Sequence, residues 1–239
     1  MGRLMDRSIW IGFDPRQCSA YAVTRRSVEQ HAPAGTAVHG LVLSDLQARG
    51  LYRRPLERRD AVLWDTISKA PMATEHACSR FLTPELAGNG WAMFMDGDML
   101  VRSDLSELFD QLDPKYAVYC VKHDHDPAEG GKMVGQVQTR YPRKNWSSLM
   151  VFNCLHYAND ELTVDVVNTL PGRDLHRFCW LDDCDIGALD PKWNFLVGHS
   201  DPKIDPAIVH FTEGVPDMPG YHGEPYADEW RAQRQAWAA

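Results

Sequence analysis

The sequence predicts an α/β fold with a mostly parallel central sheet flanked by helices, in a single domain that spans residues 1–239. Three observations support this. Segments with strand and helix periodicity alternate along the chain, which is typical of parallel sheets. Residues 91–95 (Trp-Ala-Met-Phe-Met) are apolar at every position, as expected of a strand covered by helices on both faces. The length of 239 residues suffices for one large domain.

The chain opens with a strand, a tight turn and a helix. The apolar run 9–13 predicts the strand, and Asp14-Pro15 follows as an N-cap with proline at the first helical position. Apolar residues then recur at helical spacing to about His31. The same criteria predict strands at 37–43, 116–121, 149–153 and 207–211, helices at 74–86, 104–109, 161–170 and 225–237, and a long polar loop at 122–145.

Composition and charge exclude several classes of protein. The net charge of −8 argues against binding to nucleic acid through bulk electrostatics. No apolar run is long enough to span a bilayer, and the N-terminus lacks a signal-peptide core. The six cysteines form no CxxC pair, which predicts reduced, mostly buried thiols in a cytoplasmic protein.

Positive charge is concentrated in one segment, which contains Arg49, Arg53, Arg54, Arg58 and Arg59. A solvated protein face explains such a cluster. The alternative is a site for phosphates, for an anionic acceptor or for peripheral contact with a membrane surface.

Acidic turns follow two of the predicted strands. Asp14 follows the first strand, and Asp96 and Asp98 follow the most apolar one, with Gly97 between them. Ligands of open α/β sheets collect at the carboxyl ends of the strands. Two carboxylates around a glycine, which lets the backbone turn and a ligand approach, can bind Mg²⁺ or Mn²⁺ together with substrate phosphates.

Histidines offer two further candidate ligand sets. His210 ends the apolar run 207–209. If its strand lies beside the one that carries Asp96, the imidazole supplies a third ligand that favours Mn²⁺ over Mg²⁺; otherwise it is a hydrogen-bonded core residue. A rival metal site, or a solvated surface, is formed by four residues of the polar loop: His123, Asp124, His125 and Asp126.

Several segments together resemble the GT-A glycosyltransferases, and glycosyltransferase family 8 in particular. Residues 94–101 (Phe-Met-Asp-Gly-Asp-Met-Leu-Val) resemble the hydrophobic strand and Asp-x-Asp signature of that family. Five further segments resemble elements of that family, in the family's order. Residues 11–14 resemble its nucleotide-binding turn, residues 79–81 its basic donor contact and residues 146–153 its sugar-pocket segment. Residues 182–186 resemble its Asp-Gln-Asp element, and residues 208–212 resemble the strand with its metal-binding histidine.

The resemblance implies a GT-A (Rossmann-like) fold and transfer of a sugar, with retention, from a UDP- or GDP-sugar to a carbohydrate, glycolipid, lipid-linked or protein acceptor. It implies Mn²⁺, with Mg²⁺ as the alternative, bound by Asp96, Asp98 and His210. The donor contacts that it implies are Phe13, Asp14, Arg80, Asp96, Gly97, Ser147 and Ser148.

The same resemblance places Asp183 nearest the reacting carbon, with Asp185 beside it. Each of these residues also has a non-catalytic alternative. The acidic segment with Asp183 and Asp185 can be a solvated turn, Asp185 can cap the next helix, and Asp14 can be an ordinary helix N-cap.

The chain departs from the family after His210, because the Gly-x-Lys-Pro-Trp run and its diphosphate-binding lysine are missing from residues 213–218. Arg80 or an arginine of residues 53–59 is the expected replacement. Two other functions stay open: nucleotidyl transfer, and a non-catalytic sugar- or nucleotide-binding module on the same fold.

Overall fold

The computed structural model describes residues 6–60, 62–123, 131–132, 136–137, 143 and 145–237. In chain order the strands are β1 (Arg7–Gly12), β2 (Ala37–Leu41), β3 (Leu56–Arg59), β4 (Val62–Asp65), β5 (Ala70–Met72), β6 (Trp91–Met95), β7 (Met99–Val101), β8 (Val118–Cys120), β9 (Gly131–Lys132), β10 (Gln136–Val137), β11 (Leu149–Asn153), β12 (Ile186–Ala188), β13 (Phe195–Leu196) and β14 (Ile208–His210). The α-helices are α1 (Cys18–His31), α2 (Leu43–Ala48), α3 (Thr83–Ala87), α4 (Ser106–Asp110), α5 (Val164–Thr169), α6 (Gly172–His176) and α7 (Ala227–Trp237).

The central sheet has the strand order β12-β8-β11-β6-β1-β2. Strand β1 is parallel to β2 and β6, and β12 is parallel to β8, whereas β11 is antiparallel to both of its neighbours. The predicted mostly parallel sheet is therefore confirmed. Because β11 is antiparallel to β8, β8 ends and β11 begins at the same edge of the sheet.

Strand β6 is buried at every position, as its sequence predicts. Met93 and Met95 lie in the hydrophobic core on one face of the sheet, and Phe94 lies in the core on the other face. This alternation is that of a strand with helices or loops on both sides.

A second sheet contains the strand that was predicted at residues 207–211. Here β14 is antiparallel to β7 and parallel to β13, so His210 pairs in register with Met99 and not with a residue of β6. The chain changes sheets at residues 96–98, between β6 and β7. The condition that the strand of His210 lies beside β6 is therefore not met, because β14 lies beside β7.

A third, antiparallel sheet of β3, β4 and β5 was not predicted. Its strands have three or four residues, and the sequence of β3 is Leu-Glu-Arg-Arg, which carries no alternating apolar pattern. The helix predicted at residues 74–86 is wrong over its first half. A 3₁₀ turn at Ser79–Leu82 precedes α3, which has Pro84 in its first turn.

The cysteines differ from the prediction in exposure. All six are free thiols, but Cys18, Cys179 and Cys184 are exposed, and only Cys78 and Cys120 are fully buried. The exposed ones lie at a helix start and in turns, where the sequence has no apolar periodicity to indicate burial. Most of the predicted polar loop at 122–145 lies outside the described residues. Within the described part of the chain, no helix combines the length and apolar character needed to cross a bilayer.

Gly97 allows the turn after β6 to lie against the end of β1. A Cβ atom at Gly97 would lie 2.3 Å from the carbonyl oxygen of Gly12, which is too close for any side chain. The contact is with backbone, so a neighbouring rotamer change cannot relieve it. The central glycine of the acidic turn is therefore required by packing between two strand ends.

We expect Gly97→Ala to lower the free energy of unfolding by about 1–3 kcal/mol, because the added methyl overpacks the junction. Gly223→Ala is the matched control, since a Cβ atom there meets no heavy atom within 4 Å. Urea unfolding of both variants measures the difference. Equal stabilities of the two variants would contradict the packing role of Gly97.

Candidate functional site

The acidic turn lies at the carboxyl end of β6, between the central and second sheets. The backbone N–H of Asp96 donates to the carbonyl of Ser148, 2.9 Å away, and that of Phe211 donates to the carbonyl of Asp98, 3.1 Å away. The turn is thus tied on one side to the start of β11 and on the other to the end of β14. These bonds hold both carboxylates in one place.

Asp96, Asp98 and His210 form a group whose candidate ligand atoms all lie within 4.8 Å of one another. The His210 Nε2 atom is 3.2 Å from Asp98 Oδ1 and 3.9 Å from Asp96 Oδ2. The structure therefore brings together the three residues that the sequence proposes as metal ligands, although β14 pairs with β7 and not with β6. It does so because β7 begins one residue after Asp98.

Two buried oxygens of this group, Asp96 Oδ1 and Asp98 Oδ1, have no aligned hydrogen-bond donor among the described residues. Each of these oxygens lies 3.0–3.2 Å from a basic side chain but accepts no well-aligned hydrogen bond. Buried oxygens of this kind in proteins are commonly satisfied by a metal ion or a ligand. Two carboxylates and one imidazole suit a divalent cation that accepts oxygen and nitrogen ligands. The residues present therefore fit a metal.

Asp96 is also surrounded by basic side chains. Arg80 Nη2 and His76 Nε2 approach its Oδ1 atom to 3.0 and 3.2 Å. Burial opposes ionisation of Asp96, yet Arg80, His76 and His210 together hold its pKa well below the usual range for a carboxyl. Asp96 is thus a carboxylate at neutral pH, which a metal ligand has to be.

Arg80 is buried, and each of its three guanidinium nitrogens has a partner. Its Nε donates to the carbonyls of His76 and Ala77, its Nη1 donates to the carbonyl of Ser147, and its Nη2 faces Asp96. The residue predicted to face a diphosphate or a sugar therefore lies next to the proposed metal site, with its side chain already engaged by the protein.

Asp14 lies beneath the turn that follows β1 and is 2% exposed. Its carboxylate accepts hydrogen bonds from the backbone N–H groups of Arg16 and Glu75 and from two guanidinium nitrogens of Arg16. Burial opposes ionisation, but these donors lower the pKa of Asp14 below its ordinary value. Of the two predicted roles, this geometry matches the N-cap. Phe13 beside it is half-buried and packs edge-on against Tyr21.

Ser147 and Ser148 are buried at the start of β11, on the border of the site. Ser147 Oγ lies 2.6 Å from the Nδ1 atom of His176. Burial, together with the nearby charge of Arg80, lowers the pKa of His176 to about 3, so its imidazole is neutral at pH 7. A hydrogen bond between two uncharged groups therefore joins Ser147 to His176.

Asp183 and Asp185 lie away from this group. Ala117 N–H donates to the Asp185 carbonyl, and the strand pairing puts the Asp185 backbone level with Trp91, at the opposite end of β6 from Asp96. Five residues along the strand and three strand spacings across the sheet amount to a separation on the order of 20 Å. The Asp183 side chain is 86% exposed and pairs with Arg143. A strand, β12, follows Asp185, so the alternative of a cap for the next helix is wrong.

The arginines of the arginine-rich segment pair with different acidic residues and do not form one site. Arg54 is fully buried in an ion pair with Asp65 and donates to the carbonyls of Val167 and Leu170 at 2.7 Å. At the surface, Arg53 pairs with Asp165 and Arg59 pairs with Glu57. None of these three arginines contacts the carboxylate group in the described structure. Of the rival histidine-rich set, Asp124, His125 and Asp126 lie outside the described residues.

Sequence reasoning missed three residues of the site: His76, His176 and Asn194. Asn194 is fully buried, and its side chain lies 3.1 Å from His210 Nδ1 and 2.8 Å from Ser148 Oγ. Each contact joins segments far apart in the chain, so no local pattern indicates them. The one sequence signal that could have indicated these three residues is that each is a polar residue among apolar or turn-forming neighbours in the chain.

Because the pKa of His176 falls from 6.5 to about 3 on folding, acid should destabilise the protein. Below pH 6.5 the unfolded chain binds a proton that the folded chain rejects, so the free energy of unfolding decreases as the pH falls toward 3. We expect His176→Gln to flatten this decrease between pH 6.5 and 5, above the range in which carboxylates titrate. Urea unfolding at several pH values measures it, and equal slopes for the two proteins would refute the assignment.

The fold matches solved glycosyltransferase structures at low sequence identity. The chain aligns over 96% of its length with 95% of the galactosyltransferase LgtC, at a TM-score of 0.55 and 12% identity. It aligns over 98% of its length with GlyE of Streptococcus pneumoniae TIGR4, at a TM-score of 0.61 and 12% identity, and with the bifunctional glycosyltransferase WbbM, at 0.57 and 13%. It spans 61% of the GlyE chain and about half (53%) of the WbbM chain. The predicted GT-A fold is confirmed by these matches.

A curated relative extends the comparison to sequence. No family model matches the chain. Protein CDI of Arabidopsis thaliana is 42% identical over 228 residues, which cover 93% of this chain and 83% of the relative. At this identity and coverage the two proteins share ancestry along nearly the whole chain. The chain, which has a GT-A fold and a group of two carboxylates and a histidine, therefore belongs to the family of Protein CDI.

Proposed function

We propose that the chain is a metal-dependent glycosyltransferase that moves a sugar, with retention, from a UDP- or GDP-sugar to a carbohydrate, glycolipid, lipid-linked or protein acceptor. The proposal treats residues 1–239 as one catalytic domain of a cytoplasmic protein. The observation that carries it is the convergence of Asp96, Asp98 and His210 at the carboxyl edge of a GT-A fold. That edge is where ligands of open α/β sheets bind.

The chemistry of the group suits the departure of a nucleoside diphosphate. Mn²⁺ bound by Asp96, Asp98 and His210 would neutralise charge that develops on the leaving phosphate. The single imidazole favours Mn²⁺ over Mg²⁺, which prefers oxygen ligands alone. The buried oxygens of Asp96 and Asp98 that accept no well-aligned hydrogen bond support this use.

The donor would lie along the edge formed by the ends of β1 and β6 and the start of β11. Phe13 borders this edge, and Asp14 holds the turn beneath it through its four hydrogen bonds. The side-chain position of Gly97 is filled by the Gly12 carbonyl, so Gly97 would contact the donor through its own backbone. Ser147 and Ser148 would line the other side. Arg80 would act on the donor mainly through Asp96, because its nitrogens already have partners.

Nucleotidyl transfer is the second candidate, since it also uses metal-bound phosphates. That class is expected to carry a glycine-rich loop with arginine and lysine after the first strand, and Phe13-Asp14-Pro15-Arg16 is not such a loop. The two reactions release different products, a nucleoside diphosphate and pyrophosphate. A non-catalytic binding module would release neither.

We expect the protein to release a nucleoside diphosphate from a panel of UDP- and GDP-sugars with Mn²⁺, and Asp98→Asn to lose this activity by about a hundredfold or more, since a neutral amide is a poor metal ligand. Asp182→Asn, in the exposed turn before β12, is the control and should retain activity. Full Mn²⁺-dependent activity in Asp98→Asn would exclude this metal site.

The catalytic role of Asp183 and Asp185 stays a prediction. The exposure of the Asp183 side chain and its ion pair with Arg143 favour the alternative of a solvated turn. On that basis we expect Asp183→Asn to turn over within a few-fold of the parent protein, in the range of ordinary surface changes. Steady-state kinetics with the donor found above measure it. A loss of kcat by orders of magnitude with unchanged KM would instead establish a role for Asp183 in the transition state.

A further inference from the structure

Asn194 is held in a fully buried position beside the proposed metal ligand His210. It ends the 3₁₀ helix Pro191–Asn194, which starts at Asp190, whose side chain accepts from the backbone N–H of Lys192. The following strand, β13, is parallel to β14 and pairs Leu196 with His210. This short connection puts the Asn194 side chain against the inner edge of the imidazole, where no water reaches it.

A chain of three side-chain hydrogen bonds runs from His210 toward the start of β11. Ser148 Oγ donates to the carbonyl of Asn145 at 2.8 Å, which uses its only proton. The hydroxyl oxygen can therefore only accept from Asn194, so the Nδ2 group of the amide is the one that lies 2.8 Å away. The amide oxygen must then face His210 Nδ1, at 3.1 Å.

This direction of donation determines the tautomer of His210. An amide oxygen can only accept, so Nδ1 of His210 must carry a proton, and in the neutral ring that proton is the only one. The lone pair of the ring is then on Nε2, the atom that faces Asp98 and Asp96 at 3.2 and 3.9 Å. A metal ion needs that lone pair, and the other tautomer would present a hydrogen in its place.

We propose that Asn194 is a positioning residue that sets His210 in its metal-binding tautomer and orientation, with Ser148 as the residue that orients Asn194. The inference rests on the proposed metal site and adds a residue that the metal itself does not touch. Ser148 also accepts the backbone N–H of Asp96 through its carbonyl. One serine therefore holds two of the three ligands, Asp96 through its backbone and His210 through Asn194.

The first test is the tautomer of His210 in the metal-free protein, read from the ¹⁵N shifts of its ring nitrogens by NMR at pH 8. We expect the Nδ1–H form in the parent protein and loss of that preference in Asn194→Leu, which has a similar volume but no acceptor. Asn194→Asp keeps an acceptor oxygen and should keep the Nδ1–H form. The Nε2–H form in the parent protein would overturn the inference without any variant.

The second test is the affinity for Mn²⁺ alone, from the free-ion signal in electron paramagnetic resonance. We expect Asn194→Leu to raise the Kd about 10–100-fold, the usual effect of removing such a partner, and Asn194→Asp to restore most of the affinity. Asn159→Leu is the matched control. It removes a buried amide that makes hydrogen bonds with Ala117, Asn153 and Trp180, at the other end of the sheet, and should leave the Kd unchanged.

The outcomes separate the inference from the proposed function. If the parent protein binds no Mn²⁺ but has the Nδ1–H tautomer, which is lost in Asn194→Leu, the metal site fails and the positioning role of Asn194 stands for the ring alone. If the parent protein binds Mn²⁺ and Asn194→Leu binds it equally well, the inference is wrong and the metal site stands. A similar loss in Asn159→Leu would attribute the effect to general destabilisation.

Discussion

Burial of the Asp96 carboxylate is the constraint around which the carboxyl edge of the sheet is built. A charge at the end of a fully buried strand is costly unless other groups compensate it. Here the compensation comes from two different parts of the chain: Arg80 and His76 on one side and His210 on the other. A backbone hydrogen bond from Asp96 to Ser148 ties a third part, the start of β11, to the same point. Strand ends that are distant in sequence are thereby required to meet at this point.

The change of sheets after Asp98 makes this meeting possible. Strand β6 stays in the central sheet, while β7 leaves it and pairs with β14. The acidic turn therefore lies at a junction, where β1 approaches from one side through Gly12 and β14 from the other through His210. If the chain did not pass into a second sheet after Asp98, the two carboxylates would face solvent on the side that His210 now occupies.

The positive charges of the arginine-rich segment serve the scaffold more than the site. Arg54 joins the third sheet to the end of α5 through Asp65, Val167 and Leu170. Ser68, next to that ion pair, accepts the backbone N–H of Gly172 at 2.8 Å, where α6 begins. Helix α6 ends at His176, which contacts Ser147 at the border of the carboxylate group. A buried ion pair thus connects the unpredicted sheet to the site.

Local sequence was enough to determine β6, the turn after it, the N-cap at Asp14 and the alternation that makes the sheet mostly parallel. Each depends on burial periodicity or on backbone preferences within a few residues, and both are written in consecutive positions. The candidate ligands Asp96, Asp98 and His210 were also within reach, because residue type and position at strand ends indicate them.

Only the tertiary structure decided which strand lies beside His210, that Asp183 and Asp185 are far from Asp96, and that Asn194, His76 and His176 surround the site. These features depend on strand pairing and on contacts between segments many residues apart. Pairing energy comes from side chains that meet only after the chain has folded, so a single sequence carries no local record of it. The third sheet was missed because strands of three or four residues are too short to show a periodic pattern, and the buried pair of Arg54 and Asp65 beside it forms only in the folded chain.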